Sequence, residues 1–209
     1  MSALPTSAPS FELGMAAVRE RRYGAAFPAL ETAAEEGVAE AYFELGMLYA
    51  FGRGVPASND HAAAFFSRGA EAGSPNAQYA YAVALFPHDR INAEKWLLRA
   101  SEANHPPAMT RLADLIRDRD PATARALLAR AAQAGHAEAM RGFGHALATG
   151  LGGPLDPIEG LAWLYASACV EGRPHATRDA LTLARVMRAD AIEAAQRRGR
   201  VLAKQHRKR

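Results

Sequence analysis

Phe11-Glu12-Leu13-Gly14-Met15 recurs unchanged as Phe43-Glu44-Leu45-Gly46-Met47, and the second copy runs on through Leu48-Tyr49-Ala50-Phe51 into Gly52-Arg53-Gly54-Val55-Pro56. A segment that returns after about one helix pair marks a stacked-helix array, whose units bury their apolar faces against each other. Outward from the second copy, a small residue keeps falling five positions after an alanine: Ala41 and Gly46, Ala77 and Ala82, Ala108 and Ala113, Ala139 and Gly144. The residue just before it (Leu45, Tyr81, Leu112, Phe143) is large. Small next to large on one helix, here called helix A, specifies close approach of a second helix, with the large side chain filling the core. An array of this kind encloses no substrate by default and displays an extended concave face, which favours binding of another polypeptide over catalysis.

Helix B of each unit is announced at its start. Ser58, Asp89, Asp120 and Asp156 occupy one equivalent position, where a side-chain oxygen accepts from the unpaired N–H groups of a helix N-terminus. Pro121 and Pro157 follow two of them at the first helical position, where the missing N–H costs nothing. Those aspartates therefore read as caps and not as catalytic groups. Gly37, Gly73, Asn104, Gly135 and Gly172 close the helices, being the two residue types that most readily take the left-handed conformation. The repeats fall at about 10–37, 38–73, 74–104, 105–135 and 136–172, and Pro28 is expected to bend or delay helix B of the first. A further helix is expected over residues 174–188. Asp190 and Glu193 read as a capping box opening a last helix, on which Ile192, Ala195, Gly199 and Leu202 cover the end of the array, with fraying beyond Lys204.

The loop between helices A and B is long and glycine-rich in the second repeat, at Gly52-Arg53-Gly54-Val55-Pro56, and in the fifth, at Gly150-Leu151-Gly152-Gly153-Pro154; in the third and fourth it is a short turn. Across residues 33–73 the Ala, Leu-Gly, Leu-Tyr, Gly-x-Gly-Val and Ala-x-x-Gly elements occur in order. This pattern resembles the Sel1-like repeat, a relative of the tetratricopeptide repeat with an extended loop inside each unit. The resemblance implies an all-α, right-handed solenoid of about five helix pairs with C-terminal capping helices. It further implies a non-enzymatic scaffold or adaptor that assembles or regulates a complex. The organisation expected is a flexible N-terminus at 1–9, the solenoid at 10–172, capping helices at 173–204 and a basic tail at 205–209.

Composition bounds the remaining classes. The chain has 209 residues, 49% hydrophobic and 22% charged, enough for a continuous core. One cysteine, Cys169, allows no internal disulfide, and the first residues show no basic segment leading into an apolar one, so a cytoplasmic location is expected. Of the 25 basic residues, seven (Arg197, Arg198, Arg200, Lys204, Arg207, Lys208 and Arg209) crowd the last thirteen positions without an acid, leaving 18 against 22 acidic residues in the body. Such a run is either a solvated terminus or a contact for nucleic acid, an anionic membrane or an acidic partner.

Motifs for chemistry are lacking. Neither glycine loop is followed by Gly-Lys-Ser/Thr, so both read as turns. His105 and His136 share one repeat position but have no cysteine or carboxylate to complete a metal set, and read as surface residues. No catalytic residue, metal or cofactor is assigned. By analogy with tetratricopeptide repeats, helix A lines the concave side, and its groove positions are Phe11, Met15, Phe43, Met47, Tyr79, Val83 and Phe86 at an apolar end, then Thr110, Asp114, Arg117, Arg141 and His145 at a polar one. The aromatic and methionine side chains suit an amphipathic segment of a protein or peptide, although Phe11, Phe43 and Tyr79 equally suit packing between helices. Arg117 and Arg141 suit carboxylates of the same ligand.

Overall fold

The computed structural model describes residues 8–170 and 178–206. Within them lie twelve α-helices and no strand. They fall into two compact units, residues 1–103 and 104–209.

The first unit is three helix pairs: α1 (Pro9–Arg19) with α2 (Tyr23–Glu35), α3 (Ala39–Phe51) with α4 (Asn59–Glu71), and α5 (Pro75–Leu85) with α6 (Arg90–Glu102). The repeated small residue does what its position requires. A Cβ on Gly46 would strike the Phe66 ring of α4, and one on Gly14 would come within 2.8 Å of the Leu30 side chain of α2. Ala41 and Ala77 are fully buried at the start of their helices. The glycine loop after α3 folds back onto the previous pair: Gly52 and Gly54 have φ of +61° and +75°, and a Cβ on Gly54 would lie 2.7 Å from that of Tyr23. Only glycine meets both the left-handed backbone and the close approach.

The second unit holds two further pairs, α7 (Pro106–Ile116) with α8 (Pro121–Gln133) and α9 (Ala137–Thr149) with α10 (Pro157–Val170), followed by α11 (Arg178–Ala184) and α12 (Ala189–His206). Its glycine loop repeats the arrangement. A Cβ on Gly152 would run into the Pro121 carbonyl at the start of α8, and the Arg125 guanidinium donates to the Pro154 carbonyl at 2.9 Å. In both units the large residue of helix A meets the aromatic residue of helix B edge-on, Tyr81 with Trp96 at 5.8 Å and Phe143 with Trp163 at 5.5 Å. Such pairs add about 0.5–1.5 kcal/mol beyond their buried area.

The caps form as the sequence indicates. Ser58, Asp89, Asp120 and Asp156 accept from the N–H groups of His61, Asn92, Thr123 and Glu159. Gly37, Gly73, Asn104 and Gly135 carry positive φ, while Gly172 lies outside the described residues.

Four expectations change. Pro28 does not delay its helix: α2 begins at Tyr23 and, at 13 residues, equals α4, α6 and α8 in length. The proline is exposed, and Ala26, Leu30 and Ala33, fully buried on either side of it, hold the helix together. The capping box at Asp190 is absent, because α12 starts one residue earlier at Ala189. Glu193 then pairs with Arg197 at 2.9 Å and Asp190 with Arg188 at 3.3 Å. Nor does α12 fray at Lys204. It continues through His206, whose half-buried ring lies 6.4 Å from that of Trp163 and whose side chain lies against Gly135. Helix α11 covers Arg178–Ala184 of the span expected for it, and residues 171–177 lie outside the described ones. The covering face of α12 is as read, with Ala195, Gly199 and Leu202 buried and a Cβ on Gly199 only 2.8 Å from the Ala162 carbonyl of α10.

Candidate functional site

Helices α7 and α9 run side by side in the second unit and leave a cleft of about 400 Å³ between them. Its floor is small or apolar: Ala113, Gly142, Ala146 and Leu128. Gly142 keeps it low, since a Cβ there would lie 2.9 Å from Leu128 of α8. The walls are charged, with Asp114 and Arg117 from α7 and Glu138, Arg141 and His145 from α9. Successive turns of one helix face place them there: 110, 114 and 117 on α7 match 141, 145 and 148 on α9, one repeat of 31 residues later.

The two guanidiniums are lightly engaged. Arg141 reaches Glu138 at 3.7 Å and Arg117 reaches Asp118 at 3.7 Å, both beyond hydrogen-bond length. A guanidinium carries five donors in a planar fork, so each keeps donors for a carboxylate brought into the cleft. His145 is more firmly held, its Nε2 lying 3.1 Å from the Asp179 carboxylate of α11. Burial raises the Asp114 carboxyl above its usual range and Glu138 adds to this, while Arg117, Arg111 and Arg141 pull the other way. The cleft thus carries both signs of charge on a partly dry floor.

Beneath it, Thr110 is buried and its hydroxyl donates to the Pro106 carbonyl at 2.9 Å. The same oxygen lies 3.0 Å from Nδ1 of His136. A hydroxyl has one proton to give, so Nδ1 must be the donor in the second bond. Burial lowers the pKa of His136 below the ordinary imidazole value, partly offset by Glu138. His136 is therefore no surface residue but a half-buried link between α7 and the start of α9. Its repeat counterpart His105 caps α7, with Nδ1 accepting from the Ala108 N–H at 3.3 Å. The sequence held a signal for this: Ser74, His105 and His136 fill one column immediately before helix A.

Of the groove positions named from sequence, the cleft gathers Thr110, Asp114, Arg117, Arg141 and His145. Those of the first unit are placed differently. Phe11 and Met15 pack against the buried cluster that includes Leu30, Ala33 and Leu45. Phe43 lies 5.9 Å from Phe66, Met47 and Tyr79 are half-buried, and Phe86 sits under the Arg90 guanidinium at 5.2 Å. Val83 is 46% exposed. In α12, Arg198 reaches Glu159 of α10 at 3.2 Å and Arg197 reaches Glu193, while Arg200 and Lys204 are exposed. Arg207, Lys208 and Arg209 lie outside the described residues. Glu138 and Asp179 were missed. The first stands three residues before Arg141, a spacing that places both on one helix face; nothing local marks the second.

Among the described residues no set of three His, Cys, Asp or Glu side chains could hold a metal ion, and no helix is long and apolar enough to cross a membrane. No curated protein matches the sequence. Among solved structures, the chain resembles a protective antigen with an SLR fold from uropathogenic Escherichia coli, at 18% identity and a TM-score of 0.82 over 96% of this chain and 46% of that one. The chain thus spans under half the length of that antigen. It also resembles a Sel1 repeat protein from Oxalobacter formigenes (21% identity, TM-score 0.72, 96% and 85% covered) and an immunity protein from Pseudomonas aeruginosa (18%, 0.57, 99% and 84%). These likenesses, all under 25% identity, establish the fold. The family model of the Sel1 repeat matches residues 39–74, 75–105, 106–136 and 137–169, the helix pairs from α3 to α10. On that match over more than half its length, the chain belongs to the Sel1 repeat family.

Proposed function

We propose that the chain is a non-catalytic adaptor that holds a protein or peptide partner on the outer faces of its A helices, in the assembly or regulation of a complex. The observation that carries this is the charged cleft between α7 and α9, where Arg117, Arg141 and His145 converge over an apolar floor. A carboxylate entering there meets two forked donors, and charge-assisted hydrogen bonds are roughly twice as strong as neutral ones. Fold relatives described as an immunity protein and a protective antigen carry names that state no reaction.

The test is affinity capture with the intact chain and with an Arg117→Ala, Arg141→Ala, His145→Ala variant, followed by titration of any purified protein that differs. Loss of specific proteins from the variant, at unchanged helicity, is the expected result. An identical catch from both chains removes the cleft from the reading.

A second reading rests on α12, where Arg200 and Lys204 lie exposed on the face away from α10 and lead into the basic tail. On this reading the helix contacts nucleic acid or an anionic membrane and the repeats position it. Binding to a DNA or RNA duplex, or to anionic vesicles, would then fall steeply with salt and disappear on removal of residues 207–209 with Arg200→Ala and Lys204→Ala.

A further inference from the structure

We propose that α11 is a built-in competitor for the cleft, its Asp179 carboxylate occupying at His145 the place that a partner's carboxylate takes. This deepens the adaptor reading and rests on it. One residue of the cleft wall already pairs with a carboxylate from outside the repeats: Asp179 Oδ2 lies 3.1 Å from Nε2 of His145, which stands on the same helix face as Arg141 and one turn beyond it. The space beside that contact stays open at about 400 Å³, walled by Arg117, Arg141 and Asp114. Helix α11 therefore touches the site at one charged point and does not fill it.

Its attachment is correspondingly light. Of the seven residues of α11 only Ala180 is buried, and Leu181 is 55% exposed. Both members of the ion pair are partly exposed, at 49% and 39%. Pairs of this kind change an equilibrium by no more than about five-fold. A competitor held so weakly tunes affinity and does not block it, and it selects for occupants bearing a carboxylate, because an apolar or basic side chain at that place would leave His145 with no acceptor. Asp114 and Glu138 limit the cleft to about one such group, since a densely acidic segment would meet both of them. The partner segment that fits is a helical one presenting a single carboxylate beside apolar residues, the chemistry of α11 itself.

The probe is a synthetic peptide of residues 178–188, Arg-Asp-Ala-Leu-Thr-Leu-Ala-Arg-Val-Met-Arg, with a second version carrying Asn in place of Asp. Each is titrated by NMR into the full-length chain and its Asp179→Asn, His145→Ala and Asp179→Asn/Arg141→Ala variants, reading the His145 ring where it is present and the Gly142 amide in all. Unchanged His136 ring signals report an intact fold. The peptide with Asp is expected to bind the Asp179→Asn chain about two- to five-fold more tightly than the intact chain, to weaken in the variants lacking His145 or Arg141, and to lose its effect with Asn. Equal affinity for intact and Asp179→Asn chains, with loss in His145→Ala, would overturn the competitor and leave the cleft as a carboxylate site. No response at His145 in either chain would overturn the competitor and the carboxylate seat together, leaving the capture experiment as the separate test of the adaptor role.

Discussion

Leu13 and Leu45 sit in identical pentapeptides, yet removing their side chains should have very different effects. Leu45 is 1% exposed, enclosed between α3 and the helices around it, whereas Leu13 is 63% exposed on α1. Leu→Ala at a fully buried site costs about 2–5 kcal/mol, because lost transfer energy is joined by a cavity. At Leu13 roughly a third of the side chain is covered, so about a third of a leucine's ~2 kcal/mol burial term is at stake and no closed cavity forms. The better helix propensity of alanine takes back about 0.2 kcal/mol. The expectation is about 3 kcal/mol for Leu45→Ala and about 0.5 kcal/mol for Leu13→Ala. In urea, with a slope of about 2 kcal/mol/M, the midpoints should fall by roughly 1.5 M and 0.25 M. The assay is far-UV circular dichroism of the full chain, with the slope fitted separately for each variant because repeat arrays can unfold in parts. Equal shifts, or a larger one at Leu13, would refute the assignment of α1 as the helix with no pair packed before it among the described residues.

Three further outcomes follow from single features. Arg21 is a non-glycine residue with φ of +58°, so Arg21→Gly should raise stability by about 0.5–1 kcal/mol, measured by the urea midpoint. Burial raises the Asp114 carboxyl, so its ionised form opposes folding at neutral pH; Asp114→Asn should raise the Tm at pH 7, with the gain vanishing on acidification through the carboxyl's native pKa towards 3.8. Burial lowers His136 below the ordinary imidazole value of 6.5, so the unfolded chain binds a proton first. Stability should be full above about pH 6.5 and fall below it, and His136→Asn should flatten that limb of a Tm-versus-pH series.

The repeat was legible because its signals are local and recur: a small residue next to a large one, an oxygen-bearing cap, a glycine past the helix end. What escaped was whatever depends on a residue's place in the stack. Leu13 and Leu45 are the same residue in the same pentapeptide, and only the presence of a preceding helix pair distinguishes them. His206 lies against Gly135, seventy-one residues earlier, a contact that no local pattern marks. Pro28 does not shorten its helix because burial on both sides outweighs one absent hydrogen bond, a comparison of magnitudes that a breaker rule does not make.

The cleft divides along the same line. Asp114, Arg117, Arg141 and His145 were identifiable because a fixed offset within helix A selects one face in every unit. The first unit has the same offsets, yet there they fall on residues such as Phe11, Met15 and Phe43, whose side chains pack against the protein's own core. Equivalent positions therefore differ in role according to chemistry. An apolar side chain at the offset gains by turning inward against its neighbours, whereas a guanidinium loses its hydration if it does so and stays at the wall. A repeat of uniform geometry thus leaves a charge-lined cleft where its A helices carry charge at that offset. Asp179 pairs with His145 of the cleft from outside the repeats, which explains why no periodicity in the sequence pointed to it.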